Sequence, residues 1–540
     1  MSNSKENFMW WKHGVIYHVY LRSFCDANGD GIGDIPGVIS KLDYLHDLGI
    51  DALWFSPIYK SPLKDTGYDV SDYREIDPVY GNIEDFKKLI KLAHMRKIHV
   101  ILDMPLNHTS DSHPWFLEAS SSKDNPKHDW YIWHDGKGAK NKYPNNWRSA
   151  FGGRAWTWNE KIRQYYLHLF LPEQPDLNWR NPKVRKAMFA EMKYWLDLGV
   201  DGFRLDVANY IIKDEKFKNN PYLNLKGYPR IHDFQLHKYD RNQAESHEIY
   251  KELRTFVNEY GAMLVGEIYP NEGRKEPEVS ASYLGRGDEL NLAFDFSPMY
   301  AKFSTGSFLK SLIHWYKSIP SEGWPCHVLS NHDKSRAFKR LAEGSSQKAK
   351  LLAALLLTQK GTPFVYYGEE IGLTDGKIAK HNVIDPAGRK FWPLYKGRDP
   401  FRCPMQWDRS VFAGFSENSP WLPINENSRE VNVYMQDERP SSILNFYRRL
   451  IHLRKKERAL YGGDWMPIET GRDILAYYRN DEDSQFFVAL NFSGSQRRCK
   501  VKEASHFEIE ISTDRLVTSR MSIRDFIMNP YEVLVARKVD

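Results

Sequence analysis

Short apolar runs and helically spaced apolar positions alternate along the first hundred residues. Val15–Phe24 (VIYHVYLRSF) predicts a strand, and Ile35–Leu48 predicts a helix, with Val38, Leu42, Leu45 and Leu48 on one face and Gly49 closing it. Ala52–Ile58 predicts a second strand, Ile83–Lys97 a second helix and His99–Met104 a third strand. The alternation breaks over 105–171, a polar stretch rich in Trp, Asn, Ser and Gly (HDWYIWHDG, NNWRSAFGGRAWTWNE) with strand character only near Tyr165–Leu171. It resumes with a helix at Pro182–Leu198 and strands at Gly202–Ala208, Ala262–Ile268, Leu290–Phe296, Cys326–Ser330 and Pro363–Tyr367. Helical spacing recurs between and after them at Ser246–Glu259, Ser307–Lys317, Gln347–Gln359 and Ser442–Lys456. Three strands before the break and five after it make eight alternating units, the count of a (β/α)8 TIM barrel. From about Tyr461 short alternating runs (ILAYYRN, QFFVALNFSG, YEVLVARK) predict an antiparallel β domain. The expected organisation is barrel (1–104), inserted subdomain (105–171), barrel (172–460) and a C-terminal β-sandwich (461–540).

Composition narrows the function. In 540 residues, 76 Lys and Arg nearly balance 70 Asp and Glu, and no long basic run stands out, so nucleic acid is not the expected partner. Aromatics reach 14%, many in loop-like stretches, as in a site that stacks flat sugar or base faces. Cys25, Cys326, Cys403 and Cys499 form no CxxC pattern and suit free thiols of a reducing compartment. The start MSNSKENFMWWKHG has no apolar signal core, and no run of about 18 apolar residues predicts a membrane span. A cytoplasmic location is expected.

The candidate chemistry centres on GFRLDVANY (202–210). Phe203, Leu205 and Val207 alternate with Arg204, Asp206 and Ala208, so Arg204 and Asp206 share a strand face. A guanidinium there favours an ionised carboxylate, which can act as a nucleophile, although a buried Arg–Asp bridge that only holds a barrel together would look the same. Barrel sites form at the C-terminal strand ends. Those ends offer Asp103, Asn107 and His108 after the third strand, Glu267 after the fifth, and Asn331, His332 and Asp333 after the seventh. Carboxyls converging from separate strands suit glycoside cleavage, which needs one acid that keeps its proton and one that attacks. Glu267, behind Met263-Leu264-Val265, is the better acid, and Asp206 the better nucleophile.

With DMPLNHTS (103–110), QPDLNW (174–179), GFRLDVAN (202–209), GEIY (266–269), SNHD (330–333) and GTPFVYYGEEIG (361–372) in order, the chain resembles the α-amylase family, glycoside hydrolase family 13, and within it the α-glucosidase and oligo-1,6-glucosidase branch. The resemblance implies Asp206 as nucleophile, Glu267 as acid/base and Asp333 as transition-state stabiliser, with retention of configuration through a covalent glucosyl-enzyme. It implies that His108, Arg204 and His332 bond the sugar hydroxyls, that Tyr68 stacks on the ring, and that Asp65 grips the far hydroxyls. Arg402 would pair with Asp65 and close the pocket, making the enzyme exo-acting. Phe151 and Phe170 match aromatic positions that line the entrance. Tyr367, Cys403 and Lys334-Ser335 depart from the family pattern, at positions expected near that entrance.

Asp26–Asp34 (DANGDGIGD) sets oxygen donors at alternate positions: Asp26, Asn28, Asp30, the Ile32 carbonyl and Asp34. A solvated acidic turn would have the same composition. The resemblance favours a structural calcium here, and no organic cofactor. Val207, after the nucleophile, resembles the α-1,6-cleaving members, so a short α-glucoside with α-1,6 linkage is the expected substrate and α-1,4 activity the alternative. A transglucosylase or sugar isomerase would share every motif. A non-catalytic relative, like the amylase-like heavy chains of amino-acid transporters, would have lost the acids that this chain keeps.

Overall fold

The computed structural model describes residues 8–138, 142–223, 231–270, 277–502 and 505–539. Eight parallel strands form the central sheet: β1 (Ile16–Val19), β2 (Ala52–Phe55), β3 (His99–Pro105), β4 (Gly202–Asp206), β5 (Met263–Gly266), β6 (Leu292–Ala293), β7 (Cys326–Val328) and β8 (Thr362–Tyr366). Their order is β6-β5-β4-β3-β2-β1-β8-β7, and a parallel bridge between Asp295 and His327 joins the two ends, closing the barrel.

Strand alternation divides the apolar side chains into two layers. Ile16, Trp54, Ile101, Met263, Val265, Leu292, Val328 and Phe364 fill the barrel interior. Phe203 and Leu205 point outward into the larger core shared with the surrounding helices. Arg204 and Asp206 therefore point inward, and Arg204 is the register partner of Asp103 on β3 and of Val265 on β5. A guanidinium is thus built into the upper layer of the barrel.

The helices follow their capping chemistry. Ile83–Met95 starts at a reciprocal Asn82–Asp85 capping box and buries Phe86, Leu89, Ile90 and Ala93. Pro182–Asp197 starts at Asn181, whose side chain accepts the Lys183 amide. Ser346–Thr358 is buried along its whole second half, and two buried arginines answer its last carbonyls. Arg454 Nη1 donates to Leu357 and Gln359, and Arg479 Nη1 to Thr358 (2.6 Å). Arg479 lies on the strand Ile474–Asn480, so this contact fixes the C-terminal sheet to the barrel. That sheet has six antiparallel strands beside a separate pair, Arg497–Lys500 with Asp525–Met528.

Several elements differ from expectation. Ile35–Leu48 is two helices, Ile35–Ser40 and Leu42–Leu48, because the Ser40 hydroxyl takes the Gly37 carbonyl and Lys41 leaves helical geometry (φ −110°, ψ 7°). The first strand ends at Val19 and gives way to a 3-10 turn at Leu21–Ser23, and the sixth is only Leu292–Ala293. The stretch between β3 and β4 holds a small sheet of Trp133–His134, Trp156–Asn159 and Gln164–Leu167 before the helix Pro182–Asp197. Among the described residues no helix is long and apolar enough to cross a membrane.

Candidate active site

The predicted acids meet at the C-terminal mouth of the barrel. Asp206 is the last residue of β4, Glu267 directly follows β5, and Asp333 lies in the turn after β7. Arg204 joins them. Its Nη1 donates to Asp206 Oδ1 (2.9 Å) and Asp103 Oδ1 (2.7 Å), and its Nη2 pairs with Glu267 Oε2 (2.5 Å). The Trp54 indole and the Tyr68 hydroxyl donate to Asp103 Oδ2 at 3.3 and 3.0 Å. One positive charge thus faces three buried carboxyls.

That charge count biases the carboxyls toward holding a proton. Burial raises Asp206 well above the usual carboxylate range; Arg204 opposes the shift, and Glu267, Asp103 and Asp333 reinforce it. Arg204 thus acts on Asp206 as expected of a guanidinium beside a carboxylate, favouring its ionised form against burial and the neighbouring like charges. Glu267 is also raised by burial, against Arg204 and with the charge of Asp333. Burial pushes Asp103 to about 6. Asp333 goes the other way: burial raises it, but the Arg398 and Arg402 guanidiniums outweigh burial and hold it ionised. His108 and His332 are each lowered to about 3, chiefly by burial, and are neutral at pH 7.

Asp65 is held differently from expectation. Its partner is Arg398, whose Nη2 reaches Asp65 Oδ1 at 2.5 Å, whereas Arg402 is committed elsewhere. Arg402 donates to the His332 carbonyl (2.9 Å), the Thr66 hydroxyl (3.2 Å) and Asp333 Oδ1 (3.0 Å). Arg398 also holds Asp385 through Nε (2.5 Å) and approaches Asp333 through Nη1 (3.4 Å). Sequence reasoning missed Arg398; the only signal was a second arginine close before the FRCPMQW motif. It also gave no role to Gln174, whose amide donates to Asp65 (3.3 Å) and lies 3.2 Å from His108 Nε2.

Tyr68 and His332 stack nearly parallel (8°), with the Tyr68 hydroxyl 2.8 Å from His332 Nε2. Phe170 packs on His108 (5.2 Å) and edges Phe151, whose ring lies 5.1 Å from the Arg398 guanidinium. Val207, next to Asp206, takes a left-handed conformation (φ 39°) unusual for a β-branched residue. Its amide approaches Glu267 Oε2 (3.3 Å), and its side chain packs with Trp147, Trp156 and Tyr210.

Two of the departures from the family pattern are buried. Tyr367 is fully buried and donates to the Cys403 carbonyl (2.6 Å), and Cys403 is buried as well, so both belong to the packing beneath the site. Ser335 bonds Asp375, and Lys334 lies over the Tyr300 ring at 4.6 Å.

Glu369, in the loop after β8, is pushed to about 7 by burial, with Tyr447 donating to it at 3.1 Å. A carboxyl raised in the folded state stabilises fully below its unfolded pKa of about 4.5, and that stability is lost as pH rises through 7. The difference is about 3 kcal/mol. Glu369→Gln is therefore expected to raise the melting temperature relative to wild type at pH 8 and not at pH 5. An equal shift at both pH values would contradict the assignment.

In the 26–34 loop, Asp26 accepts the Gly29 and Gly31 amides and the Ser416 hydroxyl, the Asn28 side chain accepts the Asp30 amide, and the Asp30 side chain accepts the Ile32 amide. Asp34 accepts from Ala27 and Asn28 and caps the helix Ile35–Ser40. These bonds curl the loop through Gly29 and Gly31, both at positive φ. The donors are all hard oxygens, as calcium requires, but among the described residues no three His, Cys, Asp or Glu side chains are gathered to hold a metal.

A model of the alpha amylase catalytic domain matches residues 18–463. The chain is 41% identical over 522 residues to the oligo-1,6-glucosidase of Parageobacillus thermoglucosidasius, covering 90% of this chain and 91% of the relative. It is 40% identical over 495 residues to a probable alpha-glucosidase of Rhizobium meliloti (strain 1021), covering 90% and 89%. Among solved structures, an alpha-glucosyl transfer enzyme superposes with a TM-score of 0.92 at 35% identity, covering 99% of this chain and all of the other. The trehalulose synthase of Pseudomonas mesoacidophila MX-45 superposes at 0.90 with 34% identity, again over 99% and 100%.

Proposed function

The chain belongs to the alpha-amylase family of glycoside hydrolases, and on that premise we propose that it is a retaining, exo-acting α-glucosidase that releases glucose from short α-glucosides, preferring α-1,6 bonds. The observation that carries this is the Arg204 hub, which holds Asp206 and Glu267 on one guanidinium, with Arg398 bridging Asp65 and approaching Asp333 beside it. Carboxyls that share a guanidinium suit the short separation of a retaining pair, about 5–5.5 Å, better than the longer one of an inverting pair.

In the first step an Asp206 oxygen attacks the anomeric carbon while Glu267 gives its proton to the departing glycosidic oxygen. The three carboxyls share one guanidinium and retain a proton between them, and the step uses the form in which that proton sits on Glu267 while Asp206, bonded to Arg204 Nη1, is ionised. Asp333, ionised beside Arg398 and Arg402, offsets the positive charge that grows on the sugar. In the second step Glu267 takes a proton from water, which attacks the same carbon and frees Asp206. Neutral His108 and His332 serve as hydrogen-bonding groups for the hydroxyls.

Val207 supports the α-1,6 preference, although one methyl-sized contact discriminates by only about 1–3 kcal/mol. Glucose release from isomaltose and maltose at equal concentration tests it. Faster isomaltose cleavage is expected; faster maltose cleavage would overturn the linkage while leaving the pocket assignment standing. Transfer to a sugar in place of water is a second reading, favoured by the likeness to the glucosyl transfer enzyme and the trehalulose synthase. Transfer products from concentrated disaccharide would support it.

Four cysteines, all free and buried, support a reducing, cytoplasmic setting. A calcium ion in the 26–34 loop would be held by Asp26, Asn28, Asp30, Asp34 and the Ile32 carbonyl and would supply stability. A chelator is expected to lower the melting temperature by several degrees, with calcium restoring it; no change would remove the metal from the proposal.

A further inference from the structure

We infer that the contact between Gly152 and Lys390 is a clasp across the substrate entrance that limits the length of glucan the pocket accepts. This rests on the exo-glucosidase reading above.

The two sides of the clasp come from distant parts of the chain. Gly152 lies in the stretch between β3 and β4. Lys390 and Phe391 end the short helix Pro386–Phe391 in the segment after β8. Lys390 Nζ donates to the Gly152 carbonyl at 2.6 Å. Gly152 has φ +84°, and a Cβ there would overlap the Phe391 ring, so the two walls touch at van der Waals distance only because this residue is glycine. Phe151, its neighbour, lies over the Arg398 guanidinium.

The contact is also coupled to the pocket. Asp385 caps the helix that carries Lys390, accepting the Gly388 amide at 2.9 Å, and the same side chain holds Arg398 Nε. Arg398 in turn holds Asp65. Helix, arginine and pocket acid therefore form one connected unit, and the Lys390–Gly152 bond fixes that unit to the opposite wall. A wall fixed on both sides admits a short saccharide and obstructs a long chain, whose units beyond the cleaved bond must leave through the mouth.

Two independent variants test this. Lys390→Met removes the hydrogen bond at an exposed position. Gly152→Ala forces the walls apart. The readout is kcat/KM for glucose release from a dextran of about 50 glucose units, divided by that for isomaltose. Either variant is expected to raise this ratio about fivefold or more, with an unchanged melting temperature for Lys390→Met and a lowered one for Gly152→Ala, and Lys390→Arg, which keeps a donor, is expected to stay near wild type. A merely structural role would lower both activities together and leave the ratio unmoved. Active variants whose ratio stays within about twofold of wild type would overturn the clasp alone. A wild-type protein that releases glucose from neither substrate would overturn the glucosidase reading and the clasp with it.

Discussion

Asp206→Asn is expected to lower glucose release from either disaccharide by roughly 10⁴-fold or more while the protein keeps its fold. The amide nitrogen and oxygen occupy the carboxylate's space, so packing in the barrel mouth is retained. Arg204 keeps its bonds to Asp103 and Glu267. What is lost is an oxygen nucleophilic enough to attack the anomeric carbon. Removal of one of three carboxyls around a single guanidinium also relieves charge crowding, so the melting temperature is expected to hold or rise. Steady-state rates with isomaltose, together with a thermal scan, read both effects. Residual activity above about one per cent would remove Asp206 from the nucleophile role.

Glu267→Gln is expected to separate substrates by their leaving groups. With a disaccharide the departing sugar oxygen needs a proton, and loss of the acid is expected to lower kcat by about 10²–10⁴-fold. With 4-nitrophenyl α-glucoside the leaving phenolate needs none, so formation of the glucosyl-enzyme continues and its breakdown becomes limiting. Azide, an anion that needs no general base, is then expected to restore turnover and yield a glucosyl azide. The pH profile supplies a second sign. Glu267 is raised by burial, so wild-type activity falls on the alkaline side as its proton is lost, and the variant lacks that limb. Equal losses on both substrates with no azide effect would contradict the acid/base role.

Much of this site is legible in the sequence because strand alternation is strict. Arg204 and Asp206, two apart on an apolar strand, must share a face, and the structure turns that face inward onto Asp103 and Glu267. Eight alternating units were enough to predict the barrel, since each strand and its helix are local patterns. The strand ends were less legible. Gly202–Ala208 reads as one strand, but the chain turns at Val207, where a left-handed backbone overrides β-propensity beside the acid/base. Arg398 was out of reach for a different reason. It lies in a segment without periodicity, and its partner Asp65 is 333 residues away, so neither spacing nor local chemistry connects them. The assignment of Arg402 to Asp65 failed there: with two arginines close together in one segment, only the fold decides which carboxyl each one reaches. The buried positions of Tyr367 and Cys403 were illegible likewise, since a motif locates a residue along the chain but not its depth.

The most direct test of the mechanism is to trap the intermediate. Incubation with 5-fluoro-α-D-glucosyl fluoride, which forms the glucosyl-enzyme faster than it is hydrolysed, followed by proteolysis and mass spectrometry, locates the covalent bond. A single fluoroglucosyl group on the peptide carrying Asp206, absent in Asp206→Asn, is the predicted result. A label on Glu267 or Asp333, or cleavage with inversion and no label at all, would contradict a nucleophilic Asp206.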